Sequence, residues 1–359
     1  MSAAAEPVAV PMREDLLTLP GYRSVQPTAE IRLNTNESPL LPPQAWLDAL
    51  SSGLRSLEFH RYPDRRAFAL REALAEAHGV TPEQVFCAHG SNEVLQCLLL
   101  AYGGHGRTAA LFEPTYTVYT HIARITGTAV AAGRRTPDFA IDLTEARRLL
   151  GKAQPTVTFL CTPNNPSGRS EPPEVMDEIG ALTPGLLLVD EAYAQFARWS
   201  ALDRVKEGGR LAVVRTFSKT WSLAGVRLGY LIGPRPVVEA LEQVSLPYHL
   251  DVVKQLAGRL ALRYDDEMHE RVAMLIAERE RLQSALATLP VDSWPSDANF
   301  VLFRPRHRDA RAVWEGLLAR SVLIRDCGNW AGAEGCLRVT VGTAAENDAF
   351  LEGLEASLR

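Results

Sequence analysis

No run in this 359-residue chain approaches the ~18 consecutive apolar residues that cross a bilayer, so a membrane-spanning helix is not expected. Basic charge is not in excess. There are 38 lysines and arginines against 43 aspartates and glutamates, a formal net charge of −5, which offers no general cationic surface to nucleic acid. Cysteine is sparse and odd in number: Cys87, Cys97, Cys161, Cys327 and Cys336. None form C-x-x-C, and no histidines stand at zinc-ligand spacing. Neither a disulfide framework nor a metal site is therefore expected, and the thiols read as reduced packing residues of a cytoplasmic protein. The opening stretch MSAAAEPVAVPMREDL lacks the cationic and sustained apolar regions of a secretory leader. Internal repeats and low-complexity tracts are missing as well. What remains is an ordinary globular composition, 46% hydrophobic and 23% charged, at a length that suggests about two domains.

Residues 1–45 are proline-rich and without periodicity, as expected of an arm that lies on the rest of the chain. From about 46, helical patterns alternate with short apolar runs. AFALREALAEAHGV (67–80) carries apolar residues at helical spacing and ends at a glycine. QVFCAHGS predicts a strand entering a turn, followed by the helix NEVLQCLLLAYG. Further strands are expected at 108–114, 156–163, 185–193 and 211–219, several of them continuous apolar runs without alternation. Such strands are buried on both faces, as in the parallel sheets of α/β proteins. After 246–251 a long helical stretch runs to 289, and DANFVLFRP and GCLRVTVGT read as strands of a smaller second layer. The expected organisation is an N-terminal arm (1–45) joining the small domain, a large domain (46–248) with a mostly parallel sheet flanked by helices, and a small α+β domain (249–359).

In open α/β sheets, ligands sit outside the carboxyl ends of the strands. Five successive strand ends here carry Gly90-Ser91-Asn92, Tyr116, the turn PNNPSG with Asn165, Asp190 with Tyr193, and Thr216-Phe217-Ser218-Lys219 with Arg227 beyond. Taken singly, each has an ordinary reading: a helix cap, a packing aromatic, a turn, a cap again, a solvated edge charge. As a set they supply an anion cradle, an aromatic face, an amide, a carboxylate and a lysine. A phosphorylated, planar, carbonyl-bearing heterocycle needs each of these, and pyridoxal 5'-phosphate fits. Lys219 would hold its aldehyde as the aldimine. Asp190 would pair with the ring nitrogen and keep it protonated as an electron sink. Asn165 and Tyr193 would hydrogen-bond the phenolic oxygen, and Tyr116 would stack on the ring. Gly90, Ser91, Asn92, Thr216, Ser218 and Arg227 would hold the phosphate.

The order GSNE, PTY, CTPNNPSG, VDEAY, TFSKTWSLAGVRLGY, DANFVLF and CLRVTVGT resembles the fold-type I aminotransferases of the aspartate aminotransferase superfamily. Within them, LNTNESP, HRYPD, LPYHL and VLIRD are similar to the histidinol-phosphate aminotransferase branch, over roughly residues 20–355. The resemblance implies a homodimer with shared active sites, Tyr62 reaching the partner's cofactor phosphate and Tyr22 the partner's substrate phosphate. It also implies substrate contacts from Asn36, Arg325 and Arg338. Arg338 would grip the α-carboxylate of glutamate or 2-oxoglutarate and, with Arg325, the phosphate of histidinol phosphate. The implied chemistry is ping-pong transamination between these substrates, in histidine biosynthesis. Two other activities fit the same scaffold: an aromatic amino acid aminotransferase, with an apolar pocket around Tyr22 and Trp330, and an amino-acid-phosphate decarboxylase, which RDCGN resembles. Trp221 follows the lysine motif where the family has smaller or other aromatic residues, close to the expected phosphate turn. The segment 327–335 lies between the two candidate substrate arginines.

Overall fold

The computed structural model describes residues 10–19 and 26–359. In chain order its strands are β1 (Ile31–Leu33), β2 (Val85–Ala88), β3 (Thr108–Glu113), β4 (Ala129–Arg134), β5 (Val157–Cys161), β6 (Leu186–Asp190), β7 (Leu211–Thr216), β8 (Gly229–Ile232), β9 (Val291–Ser293), β10 (Phe300–Pro305), β11 (Val322–Asp326) and β12 (Leu337–Thr340). β2 to β8 form a seven-stranded sheet in the order β2-β8-β7-β6-β5-β3-β4. Its strands pair in parallel except β8, which runs antiparallel to both β2 and β7. Every residue of β2, β5, β6 and β8 is buried, which is why these runs show no polar alternation. Registers Cys161↔Asp190 and Asp190↔Val214 bring the carboxyl ends of β5, β6 and β7 to one level.

The sequence pattern misses two strands of this sheet. β4, AVAAGR, is a largely exposed edge made mostly of small residues, and it lacks the bulky branched side chains that mark a strand. β8 is 4 residues long and begins inside TFSKTWSLAGVRLGY, the stretch read as the lysine motif.

The second sheet has the order β1-β11-β12-β10-β9. Here the N-terminal segment meets the C-terminal third of the chain: β1 pairs in parallel with β11 in the register Leu33↔Ile324. The long helical stretch is two helices, Val252–Ala261 and Asp265–Leu286, joined by the 3-10 turn Leu262–Tyr264. One continuous apolar cluster runs from Leu33 and Trp46 through Phe217 and Trp221 to Phe300 and Phe350, so the two sheets share a core. Among the described residues no helix is long and apolar enough to cross a membrane, and no group of three His, Cys, Asp or Glu side chains could hold a metal.

Candidate active site

A pocket of about 370 Å³ opens where the ends of β5, β6 and β7 face β12 and the residues after β1. Its phosphate-sized end is built around the helix Ser91–Tyr102. The preceding Gly90 has φ +79°, a backbone that favours glycine, and a Cβ there would stand 2.8 Å from Arg227 Nη2 and displace the guanidinium. No side chain caps this helix, which leaves first-turn N–H groups for an anion. Ser91, Asn92, Thr216, Ser218 and Arg227 all line this end. Thr216 Oγ1 donates to Ser218 Oγ at 2.9 Å, and Arg227 Nη1 donates to Ser218 Oγ at 3.3 Å and to the Ala224 carbonyl at 3.2 Å. These contacts aim two hydroxyls and a guanidinium at one place.

Asp190, the last residue of β6, is 3% exposed. Tyr119 Oη donates to its Oδ2 at 2.6 Å and the Ala192 N–H donates to its Oδ1 at 3.0 Å. Among the described residues it has no ion pair. Burial pushes its carboxyl up to about 6 against the pull of those two donors, with a smaller upward push from Glu191. Holding the carboxylate here costs on the order of 3 kcal/mol, which a cation placed against it would offset.

Lys219 lies across the pocket, its Nζ donating to the Thr35 carbonyl at 2.9 Å and sitting 5.9 Å from the centre of the Tyr193 ring. Desolvation lowers its pKa to about 7, Arg338 and Arg227 push in the same direction, and Glu37 opposes them. At neutral pH a large share of Lys219 is therefore the free amine, the form that attacks a carbonyl or accepts a proton.

The remaining wall joins the two sheets. Asn36 Nδ2 donates to Tyr193 Oη at 3.0 Å, and burial pushes the Tyr193 hydroxyl up. Asn165 is left facing the pocket because its neighbour Asn164 carries the turn: Thr115 Oγ1 donates to Asn164 Oδ1, and Asn164 Nδ2 donates to the Pro114 carbonyl and Ser167 Oγ. Arg338 donates to Asn165 Oδ1 and to the Asn34 carbonyl, and its guanidinium lies 5.1 Å from the Phe300 ring centre. Arg325 stands directly opposite Arg338 across β11 and β12, and both line the pocket. Tyr116 closes one side, its hydroxyl donating to Asn92 Oδ1 at 3.2 Å.

The structure thus gathers all the residues expected at the site within one chain except two. Tyr62 is 80% exposed, outside the pocket, and stacked on Tyr248 at 4.5 Å. Tyr22 lies outside the described residues. Trp221 is not at the phosphate end as expected. It is buried 5.6 Å from Phe217 and lines a small gap with Pro42, Pro43 and Trp46. Segment 327–335 is folded by successive tight turns, Trp330 N–H to the Cys327 carbonyl and Ala333 N–H to the Trp330 carbonyl, which place Trp330 on the pocket wall.

Sequence reasoning missed Tyr119, Asn164 and Glu37. Tyr119 sits inside a helix pattern and carries no sign that it points at Asp190. Tyr119→Phe is expected to lower turnover about tenfold, the scale of one hydrogen bond to a charged group. Because that bond holds the Asp190 pKa down, its loss also moves the acid limb of the pH–rate profile to higher pH. An unchanged profile would show that Tyr119 only packs.

The residues fit pyridoxal 5'-phosphate. A buried carboxylate without a cation, a lysine held near neutrality, and a hydroxyl–guanidinium cradle at a helix start are the three things its ring nitrogen, aldehyde and phosphate require.

The family model aminotransferase class I and II matches residues 28–354. The chain is 43% identical over 364 residues to a histidinol-phosphate aminotransferase of Frankia casuarinae, covering 97% of this chain and 90% of that protein. Its fold is similar to that of histidinol-phosphate aminotransferase from Sinorhizobium meliloti in complex with pyridoxal-5'-phosphate, with a TM-score of 0.89 at 23% identity over 97% of each chain. It is also similar to aspartate aminotransferase from Thermus thermophilus with maleate, with a TM-score of 0.78 at 22% identity over 92% of each chain.

Proposed function

This chain belongs to the class I and II aminotransferases, and from that premise we propose that it transfers the amino group of L-histidinol phosphate to 2-oxoglutarate, giving imidazole acetol phosphate and glutamate. The observation that carries the substrate reading is the in-register pair Arg325 and Arg338 on the wall that faces Lys219. Two adjacent guanidiniums suit both a phosphate dianion and a carboxylate, the two anions that enter in turn in a ping-pong reaction. The high identity to a relative that carries this name supports the same reading over the aromatic aminotransferase and the decarboxylase.

The cofactor is pyridoxal 5'-phosphate, which, when bound, withdraws electrons from the substrate α-carbon and makes its hydrogen acidic. The chain's own residues do the rest. Ser91, Asn92, Thr216, Ser218 and Arg227 hold the phosphate, and Tyr116 covers the ring. Asp190 keeps a negative charge at the ring nitrogen, oriented by Tyr119 and the Ala192 N–H. Asn165 and Tyr193 bind the phenolic oxygen. Lys219 Nζ takes the proton from the substrate α-carbon and returns it one position along. Arg338 binds the substrate carboxylate and, with Arg325, the substrate phosphate, while Asn36 holds Tyr193 in place.

The same reading includes a cytoplasmic homodimer, with an arm (1–45), a large domain (46–248) and a small domain (249–359). Tyr62, exposed in its own chain, would reach the cofactor phosphate of a second copy, and Tyr22 its substrate phosphate.

The test is a single half-reaction. Purified holoenzyme is mixed with L-histidinol phosphate and no keto acid. Loss of the cofactor's visible band is expected, with one imidazole acetol phosphate released per site. Release of carbon dioxide from an amino-acid phosphate, or faster conversion by phenylalanine, would overturn the substrate assignment.

A further inference from the structure

A second group of cations lies apart from the active pocket, where residues 64–67 lead into the helix Phe68–His78. Arg71 is on the buried face of that helix, 2% exposed. Its Nη2 donates to Glu242 Oε1 at 2.6 Å, but its buried Nε and Nη1 have no hydrogen-bond partner among the described residues. The carboxylate is also shared, since Arg66 Nε donates to the same Glu242 oxygen at 3.3 Å. Arg71, Arg66, Arg65, Glu242, Cys87 and His249 surround a cavity of about 20 Å³.

We infer that this cavity binds one monatomic anion, chloride under ordinary conditions, on the Arg71 guanidinium. Charge comes first. Buried Arg71 shares its one carboxylate with Arg66, and a buried cation with two unmet donors is costly unless something negative meets it. The other polar groups at hand are already committed. Ser245 Oγ donates to the Glu242 carbonyl at 3.2 Å, and His249 Nδ1 is engaged by Glu93 Oε2 at 3.0 Å. Asp64 uses its carboxylate on the N–H groups of Arg66 and Phe68, at 3.0 and 2.6 Å. The Cys87 thiol is pushed up to about 12 by burial and stays neutral.

Size decides the rest. A cavity of this volume admits one water-sized particle and excludes a phosphate or sulfate. Water would satisfy the N–H directions and leave the charge; a halide answers both. The site ties residues 65–67 to β2 and to the 245–249 segment. Tyr248 belongs to the second of these segments, and Tyr62, its exposed stacking partner, lies just before the first. The anion therefore acts as a pin beneath the surface that presents Tyr62.

The test uses the holoenzyme in two arms. Crystals soaked in sodium bromide should show an anomalous peak within hydrogen-bonding distance of Arg71 Nε or Nη1. At matched ionic strength, the unfolding midpoint should fall by a few degrees when chloride is replaced by gluconate, since a ligand that binds only the folded state stabilises it by mass action. Arg71→Met should lose that chloride dependence. If this variant does not fold, the bromide peak in the unmodified protein still decides. Density for a water or for a partner copy's carboxylate at that place, with no bromide peak, would overturn the proposal. Equal midpoints in chloride and gluconate would overturn it too.

Discussion

Lys219→Ala is expected to lower turnover by about 10⁴-fold or more, because it removes both the group that bonds the cofactor and the base that moves the α-proton. The fold should survive. Among the described residues Lys219 Nζ makes one hydrogen bond, to the Thr35 carbonyl, and burial works against its charge, so truncation removes little that holds the chain together. Single-turnover rates with L-histidinol phosphate, beside a melting curve, test both halves. A variant that keeps turnover within tenfold of the parent would remove Lys219 from the mechanism. The cofactor-free chain should show a matching dependence in how fast Lys219 takes up the cofactor aldehyde. The Lys219 pKa is lowered to about 7, so the free amine is present above that pH and lost as pH falls through it. Uptake of pyridoxal 5'-phosphate by the cofactor-free chain should slow on the acid side of about 7.

Asp190→Asn is expected to cost about 10²- to 10³-fold in turnover, the usual scale for removing one preorganised electrostatic group. The amide matches the carboxylate in shape and can still meet Tyr119 and the Ala192 N–H. It cannot favour a protonated ring nitrogen, so the α-carbon proton becomes harder to remove. The cofactor-free chain should become more stable, because burial already pushes Asp190 up to about 6 there and the neutral amide avoids that cost. The melting point of the cofactor-free chain should thus rise while the turnover of the holoenzyme falls. A normal rate in the asparagine variant would show that Asp190 is not the partner of the ring nitrogen.

Both residues stand out in the sequence for a physical reason. A central parallel strand is buried on both faces, so it reads as an unbroken apolar run, and the polar residue that ends the run marks the carboxyl edge. LLLVD ends at Asp190, and LAVVRTFSK runs out to Lys219. The same logic fails at β4, a small-residue edge strand, and at Trp221, whose ring packs in the core beside Pro42, Pro43 and Trp46 rather than at the phosphate turn.

The chain by itself determined the α/β class, the order of the strand ends, and the lysine, carboxylate and glycine turn that a phosphorylated carbonyl cofactor needs. These follow from periodicity and from backbone needs that act over a few residues. Only the tertiary structure decided which distant groups tune them. Tyr119 meets Asp190 across 71 positions, Asn36 meets Tyr193 across 157, and Arg338 reaches the Asn34 carbonyl across 304. It also decided that Arg325 and Arg338 face each other, and that Arg71 is buried with one carboxylate shared between two arginines. Such pairings depend on how two sheets pack around a common core, and no local pattern of residues carries that information.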